Sequence, residues 1–143
     1  MYRKLALAAA FGLVLFLAGY WSGQNATVHA QAGDRVFELR VYHANEGKLD
    51  DLLKRFRDHT ITIFNRHDMT SIGYWVPMDE PLKGRTLYYM LGFPSREAAT
   101  KSWAAFRADP EWKKVAAASD ANGKLVQKVD STFLTPTDFS PIK

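Results

Sequence analysis

The chain has 143 residues, a formal net charge of +4 at neutral pH and no cysteine, and 47% of its residues are hydrophobic. Without cysteine it cannot form disulfides or thiolate metal sites, so a hydrophobic core must hold the fold together. The charges are mixed in sign along the chain, which is not typical of a nucleic-acid-binding surface, and we expect no nucleic-acid partner.

The N-terminal residues are ordered like a secretory signal peptide. A basic tip precedes an apolar stretch from Leu5 to Trp21, and Ala30-Gln31-Ala32 has the small-residue pattern that signal peptidase cleaves. We predict a signal peptide over residues 1–32, cleaved after Ala32, and a periplasmic or secreted protein without stable membrane association. The alternative is that the apolar stretch is kept as an anchor, because it is close to the shortest that spans a bilayer.

Residues 33–143 have the length of one domain, and their pattern begins with a strand and a helix. From Arg35 to Tyr42 apolar and polar residues alternate, which predicts a strand. From Leu49 to His67 apolar residues recur at three- and four-residue spacing, which predicts a long amphipathic helix. Its charged residues, Arg55 among them, are expected on the exposed face.

Two strands, a second helical region and a last strand complete the pattern. Met69 to Val76 and Thr86 to Phe93 are rich in aromatic and β-branched residues, which predicts a hairpin with a long connection. Ser95 is expected to cap the second helix, and Asp109, followed by proline, to restart it. The segment from about Leu125 to Leu134 is again strand-like.

This order predicts an α+β fold, the ferredoxin-like βαββαβ arrangement with an antiparallel sheet. Both helical regions should lie on one face of the sheet. The other face would carry tyrosine and tryptophan and needs a cover in a soluble protein. Pairing two such sheets supplies that cover, so a homodimer is expected.

Four segments in the same order resemble the NIPSNAP family. They are Glu38-Leu39-Arg40-Val41-Tyr42, Gly73-Tyr74-Trp75, Asp109-Pro110-Glu111-Trp112 and Pro136-Thr137-Asp138-Phe139-Ser140-Pro141. The resemblance extends from Val36 to Lys143 and implies a dimeric α/β barrel, with two ferredoxin-like sheets packed face to face. Relatives of that fold include cofactor-free monooxygenases, haem-degrading enzymes and lactone isomerases, but a shared fold does not fix function. Tyr89 stands where the family often has a histidine.

The polar side of the first strand gives the main candidate site. We predict Glu38, Arg40 and Tyr42 on the sheet face opposite the helices, inside the barrel, where Phe37 and its alternate neighbours would face the core. Arg40 could hold an anionic or enolate oxygen while Glu38 or Tyr42 moves a proton. The alternative is a buried Glu38–Arg40 ion pair that only fixes how the subunits register.

Trp75, Tyr88 and His59 complete the candidate ligand-binding residues. Trp75 and Tyr88 are predicted on the barrel side, because Leu87, Tyr89 and Leu91 make the more continuous core face. Their rings suit either a flat apolar ligand or a dimer interface. His59 and His67 would be separated by about 12 Å along one helix, so no metal site is predicted, and no cofactor is expected.

We therefore predict an exported homodimer that binds a small apolar or anionic molecule in its barrel, with catalysis, if any, at the residues above. A second hypothesis is a cofactor-independent monooxygenase or isomerase of the same fold. A third is a structural or partner-binding module without a pocket. A cavity beside Arg40 would favour binding or catalysis over the third.

Overall fold

The computed structural model describes residues 35–143, and the predicted signal peptide lies outside these residues. The elements follow in the order β1 (Val36–Ala44), α1 (Leu49–Arg55), a π-helical turn (Phe56–Thr60), α2 (Ile61–Arg66), β2 (Thr70–Trp75), β3 (Thr86–Phe93), α3 (Arg96–Ala108), α4 (Pro110–Ser119) and β4 (Val126–Leu134). Among them, no helix is both long and apolar enough to cross a membrane.

The four strands form one antiparallel sheet in the order β2-β3-β1-β4. The two central strands of the sheet are β1 and β3. They are not consecutive in the chain, because β2 lies between them and occupies an edge of the sheet. This is the ferredoxin-like α+β topology, and the sequence-based prediction of the fold is confirmed.

The first helix runs through α1, the π-helical turn and α2 without a break, since Phe56 and Thr60 at the two junctions keep helical dihedral angles. The long amphipathic helix is confirmed, but its π-helical turn was not predicted. In that turn the buried hydroxyl of Thr60 donates a hydrogen bond to the carbonyl oxygen of Arg55 at 3.2 Å. Such turns widen the helix and are frequent at functional sites.

The two expected helix caps are present. The Ser95 hydroxyl accepts a hydrogen bond from the backbone N–H of Ala98 at 3.2 Å and begins α3. The Asp109 carboxylate accepts from the N–H groups of Glu111 and Trp112 at 2.7 and 3.2 Å and begins α4, with Pro110 in its first turn. Each cap satisfies N–H groups that have no partner inside the helix.

The helices cover one face of the sheet, and the core lies between them. From β3 the side chains of Leu87, Tyr89 and Leu91 are fully buried in this core. The helices contribute Leu52, Phe56, Ile63, Phe64, Trp103 and Phe106. Tyr88 and Met90 alternate with the buried residues of β3 and are only half-buried, so the opposite face of the sheet lacks a comparable cover.

Candidate functional site

Glu38, Arg40 and Tyr42 lie on the helix side of the sheet, so their predicted position inside the barrel is wrong. Glu38 pairs with Leu91 and Arg40 with Tyr89 across β1 and β3, and residues directly opposite in a ladder share a face. Tyr42 packs edge-on against Phe56 of the π-helical turn, with ring centroids 5.8 Å apart.

The error has a physical cause in the composition of β1. Phe37, Leu39 and Val41 are apolar, and the prediction placed the apolar side against the helices. In fact both sides of β1 are covered or half-covered, so alternation alone does not identify the core side. The continuous run of buried residues in β3 was the better signal, but using it requires the register between the two strands.

The Glu38 carboxylate lies at the centre of a buried polar cluster that joins β1, α3 and β4. Its side chain is 2% exposed. Oε1 accepts hydrogen bonds from Nη1 of Arg40 at 2.7 Å and from the Ser131 hydroxyl at 2.6 Å. Oε2 accepts from the indole Nε1 of Trp103 at 2.5 Å. Because both oxygens are occupied by protein donors, this geometry suits a structural ion pair better than proton transfer.

Aromatic rings surround the cation of this pair. The Arg40 guanidinium lies 4.2 Å from the centroid of the Trp103 ring and 5.7 Å from that of Tyr42. Burial alone would lower the pKa of Arg40, but the Tyr89 and Tyr42 hydroxyls and the Glu38 carboxylate hold it above its ordinary value. Burial raises the pKa of the Tyr89 hydroxyl well above its usual range. That hydroxyl and Nε of Arg40 have no hydrogen-bond partner among residues 35–143.

Trp75 and Tyr88 lie on the sheet face that the helices leave open, as predicted. They are paired across β2 and β3, and Tyr88 is also opposite Val41 of β1. We call the half-buried or exposed side chains of Leu39, Val41, Trp75, Tyr88 and Met90 the open sheet face. Trp75 is 53% exposed, and its ring lies so close over Gly73 that a Cβ there would come within 2.5 Å of it.

His59 lies apart from both clusters, exposed on the π-helical turn. It lines a cavity of about 550 Å³ between the first helix and α4, which we call the helical groove. Val115, Ala118 and Leu125 give the groove an apolar wall, and charged residues of both signs line the rest. A cavity of this volume is in the usual range for a small-molecule site.

Arg55 is a lining residue of the groove whose buried position the sequence analysis missed. It was expected on the exposed face of the helix, but its side chain is only 7% exposed. Its guanidinium lies 5.2 Å from the centroid of the Trp112 ring, and Nη1 donates to the Ser119 hydroxyl at 3.1 Å. A basic residue in a helical pattern is ordinarily solvated, so no local signal could have placed it inside.

The other two histidines in the described part of the chain are engaged by carboxylates. Nε2 of His43 lies 2.9 Å from the Asp130 carboxylate, and Nε2 of His67 lies 2.8 Å from that of Asp109. Within residues 35–143 no three histidine or acidic side chains are grouped in a way that could hold a metal ion.

The fold and these clusters define a ferredoxin-like α+β domain of the kind found in dimeric α/β barrels. The NIPSNAP family matches residues 37–141, and the chain belongs to that family. No curated protein matches the chain.

Solved structures of bacterial proteins have the same fold. A NIPSNAP family protein from Agrobacterium tumefaciens is 27% identical, with a TM-score of 0.67 over 76% of this chain and 99% of the other. A nipsnap family protein with unknown function from the same organism is 22% identical, with a TM-score of 0.68 over 81% and 100%. SnoaB, a cofactor-independent oxygenase from Streptomyces nogalater, is 14% identical, with a TM-score of 0.52 over 76% and 98%, which is a likeness of fold alone.

Proposed function

We propose that this NIPSNAP protein is exported, forms a homodimer by pairing two open sheet faces, and binds a small, largely apolar molecule between them. The observation that carries this proposal is the open sheet face itself. It is apolar and aromatic, it includes the exposed ring of Trp75, and no described helix covers it. Contiguous apolar patches of this kind on soluble proteins usually mark interaction sites.

The position of the Glu38–Arg40 ion pair limits the class of ligand that is expected between two open sheet faces. Glu38 and Arg40 are on the helix side and would not line the space between two sheets. The open sheet face offers aliphatic and aromatic side chains instead, and near its edge the Asp130 carboxylate is already in contact with Lys128 and His43. A flat apolar ligand therefore fits this surface better than an anionic one.

Cofactor-independent oxygenase or isomerase activity remains a hypothesis from likeness of fold, which does not fix function. Its proposed proton-transfer residue, Glu38, has both carboxylate oxygens occupied by protein donors. None of the three described cavities is lined by Glu38, Arg40 or Tyr42. The geometry thus favours a structural role over catalysis for this cluster.

The test is the oligomeric state of protein purified after expression of the full chain. Light scattering should give twice the subunit mass, and a Trp75→Ser/Tyr88→Ser double variant should shift to a monomer with the same circular dichroism spectrum. Met78→Ser is the matched control, because Met78 is 86% exposed but lies on the loop after β2.

Native mass spectrometry of the same preparations tests the ligand. A small molecule that accompanies the dimer and is lost with the Trp75→Ser/Tyr88→Ser variant would support binding between the sheets. A wild-type protein that is monomeric at micromolar concentration would contradict the proposal. A dimer without ligand, in which the interface excludes added apolar molecules, would leave the structural module as the better hypothesis.

A further inference from the structure

The helical groove has an excess of positive charge that its own carboxylates do not neutralise. Each acidic residue of its lining faces a cation. Asp51 lies 3.7 Å from Lys48, and Asp58 is hydrogen-bonded to Lys54. The third, Glu111, lies 2.8 Å from Nη2 of Arg66. Of the lining cations, this leaves Lys114 and Arg55, and the counter-charge of Arg55 is Asp120, which does not line the groove.

Arg55 is buried with incomplete compensation. Its counter-charge is the Asp120 carboxylate, which forms an ion pair with Nη1 at 3.6 Å, longer than a hydrogen bond, and Nε has no hydrogen-bond partner among residues 35–143. Burial lowers the pKa of this guanidinium, and the attraction of Asp120 only partly opposes that effect. Because this single ion pair is longer than a hydrogen bond and the Asp120 side chain is 41% exposed, a second anion at the site would reduce the cost of burying the guanidinium.

Lys114 adds a second cation beside the apolar wall of the groove. Within the described part of the chain it has no carboxylate within salt-bridge distance. Lys114 and Val115 are neighbours on α4, so a charge and an apolar surface lie side by side along one helix. This arrangement matches a molecule with an anionic end and an apolar body.

We propose that the helical groove binds a small amphipathic carboxylate, with the carboxylate at Arg55 and Lys114 and the apolar body against Val115, Ala118 and Leu125. Arg suits this role because its planar guanidinium can bind a carboxylate with two donors. The site is on the helix side of the sheet, so it is separate from the open sheet face and does not depend on dimer formation. His59 lines the same groove and lies within it as a polar neighbour of the ligand.

The experiment uses protein purified after expression of the full chain, with decanoate as the probe and decanol and acetate as matched controls. Titration calorimetry should detect decanoate binding, with decanol and acetate each weaker by about tenfold or more, because one lacks the charge and the other the apolar body. Amide chemical shifts of Val115 and Ala118 should change on titration with decanoate.

Two variants and one control test which cations bind the carboxylate of decanoate. Arg55→Met keeps the volume of the side chain, and we expect it to weaken decanoate binding about tenfold. Lys114→Gln is an exposed substitution that should leave the fold intact and weaken binding about threefold. Lys101→Gln removes an exposed cation on α3 that does not line the groove, and binding should not change.

Several results would overturn the proposal. The first is that the wild type does not bind decanoate, or binds decanol with equal affinity. The second is that the chemical shift changes are confined to Trp75 and Tyr88. The third is that Lys114→Gln and a folded Arg55→Met bind decanoate as tightly as the wild type. If Arg55→Met does not fold, the Lys114→Gln and Lys101→Gln pair decides the question alone. A monomeric wild type that binds decanoate at Val115 would support this site while contradicting the proposed dimer.

Discussion

The Arg40 guanidinium lies 4.2 Å from the centroid of the Trp103 ring, whose Nε1 donates a hydrogen bond to Glu38. One aromatic side chain of α3 thus contacts both members of an ion pair on β1. Through Trp103, the ion pair fixes α3 against the sheet. The polar atoms of Glu38 and Arg40 are turned toward neighbouring protein side chains and do not face a space that a substrate could enter. This is the arrangement expected of a structural pair.

Replacing Arg40 alone should be more harmful than replacing the whole pair. Arg40→Met leaves the buried Glu38 carboxylate without its cation, and the free energy of unfolding should fall by about 3 kcal/mol. A Glu38→Leu/Arg40→Met double variant should recover part of that loss, because two charges no longer have to be desolvated. Recovery is expected to be incomplete, since Trp103 then loses its acceptor. Urea denaturation at neutral pH measures both values.

Arg96→Met is the matched control for this experiment. Arg96 is exposed and lies 3.8 Å from the centroid of the Phe133 ring, but it forms no salt bridge to a described carboxylate. Its replacement should cost less than about 1 kcal/mol. An Arg40→Met variant as stable as Arg96→Met would show that the pair is not held in a desolvated interior.

Acid should destabilise the protein partly through Asp109. The hydrogen bond from His67 holds the pKa of this carboxyl below its ordinary value, with smaller help from the backbone N–H groups of α4. Its contribution to stability is therefore complete above the unfolded-state pKa of about 3.9 and is lost as pH falls through the lower folded-state value. Asp109→Asn should consequently lose less stability than the wild type between about pH 5 and pH 2.

Denaturation curves across that pH range provide the measurement. Asp79→Asn, on the exposed loop after β2, is the control and should have the same acid dependence as the wild type. Parallel curves for the wild type and Asp109→Asn would show that the His67 contact does not couple stability to pH. The Asn side chain can still accept from the N–H groups of Glu111 and Trp112, so the cap itself is retained.

Gly73→Ala tests whether Trp75 must lie flat for sheets to pair. A Cβ at position 73 would come within 2.5 Å of the Trp75 ring, so the ring has to move away from the sheet surface. The monomer should lose little stability, since the obstacle is a partly exposed side chain rather than backbone. Dimer dissociation measured by sedimentation should rise about tenfold.

Trp75→Ala serves as the reference for the glycine substitution. If Gly73 acts through the ring, the Gly73→Ala/Trp75→Ala double variant should dissociate like Trp75→Ala alone, because the two effects are not additive for contacting residues. If the two effects are additive, Gly73 acts through the backbone conformation of β2 and not through the Trp75 ring.

Export is tested by the position of the mature N-terminus. Expressed in a bacterium with its own leader, the protein should be recovered from the periplasm with Gly33 as its first residue. Mass spectrometry of the intact protein distinguishes this from an uncleaved chain in the membrane fraction, which would favour an anchor.

The order of strands and helices could be predicted because each element carries its own period and its own stop signal. Ser95 and Asp109 are examples, since a cap depends only on the next few residues. The face occupied by Glu38 and Arg40 could not be predicted, because it is fixed by pairing with β3, about fifty residues further along the chain. Trp75 and Tyr88 were placed correctly, because Leu87, Tyr89 and Leu91 identify the core side of β3. The residues that alternate with them, and Trp75 opposite Tyr88, must then lie on the other face.

The helical groove could not be predicted from the sequence, because it also depends on contacts between distant segments. His59 was proposed as a ligand residue without its neighbours, and the buried state of Arg55 depends on Trp112 and Ser119 of a distant helix. The π-helical turn, which follows Arg55 directly, also has no signal that separates it from an ordinary α-helical turn.

The reach of the Glu38 cluster along the chain has a consequence for folding kinetics. Its hydrogen bonds join β1 to residues 65 and 93 positions away, Trp103 and Ser131. Contacts of such separation repay the entropy of loop closure only after the intervening segments are ordered, so the cluster should form late. Interactions absent from the folding transition state act chiefly on the unfolding rate. Glu38 is thus expected to govern how long the native state persists, far more than how quickly it is reached.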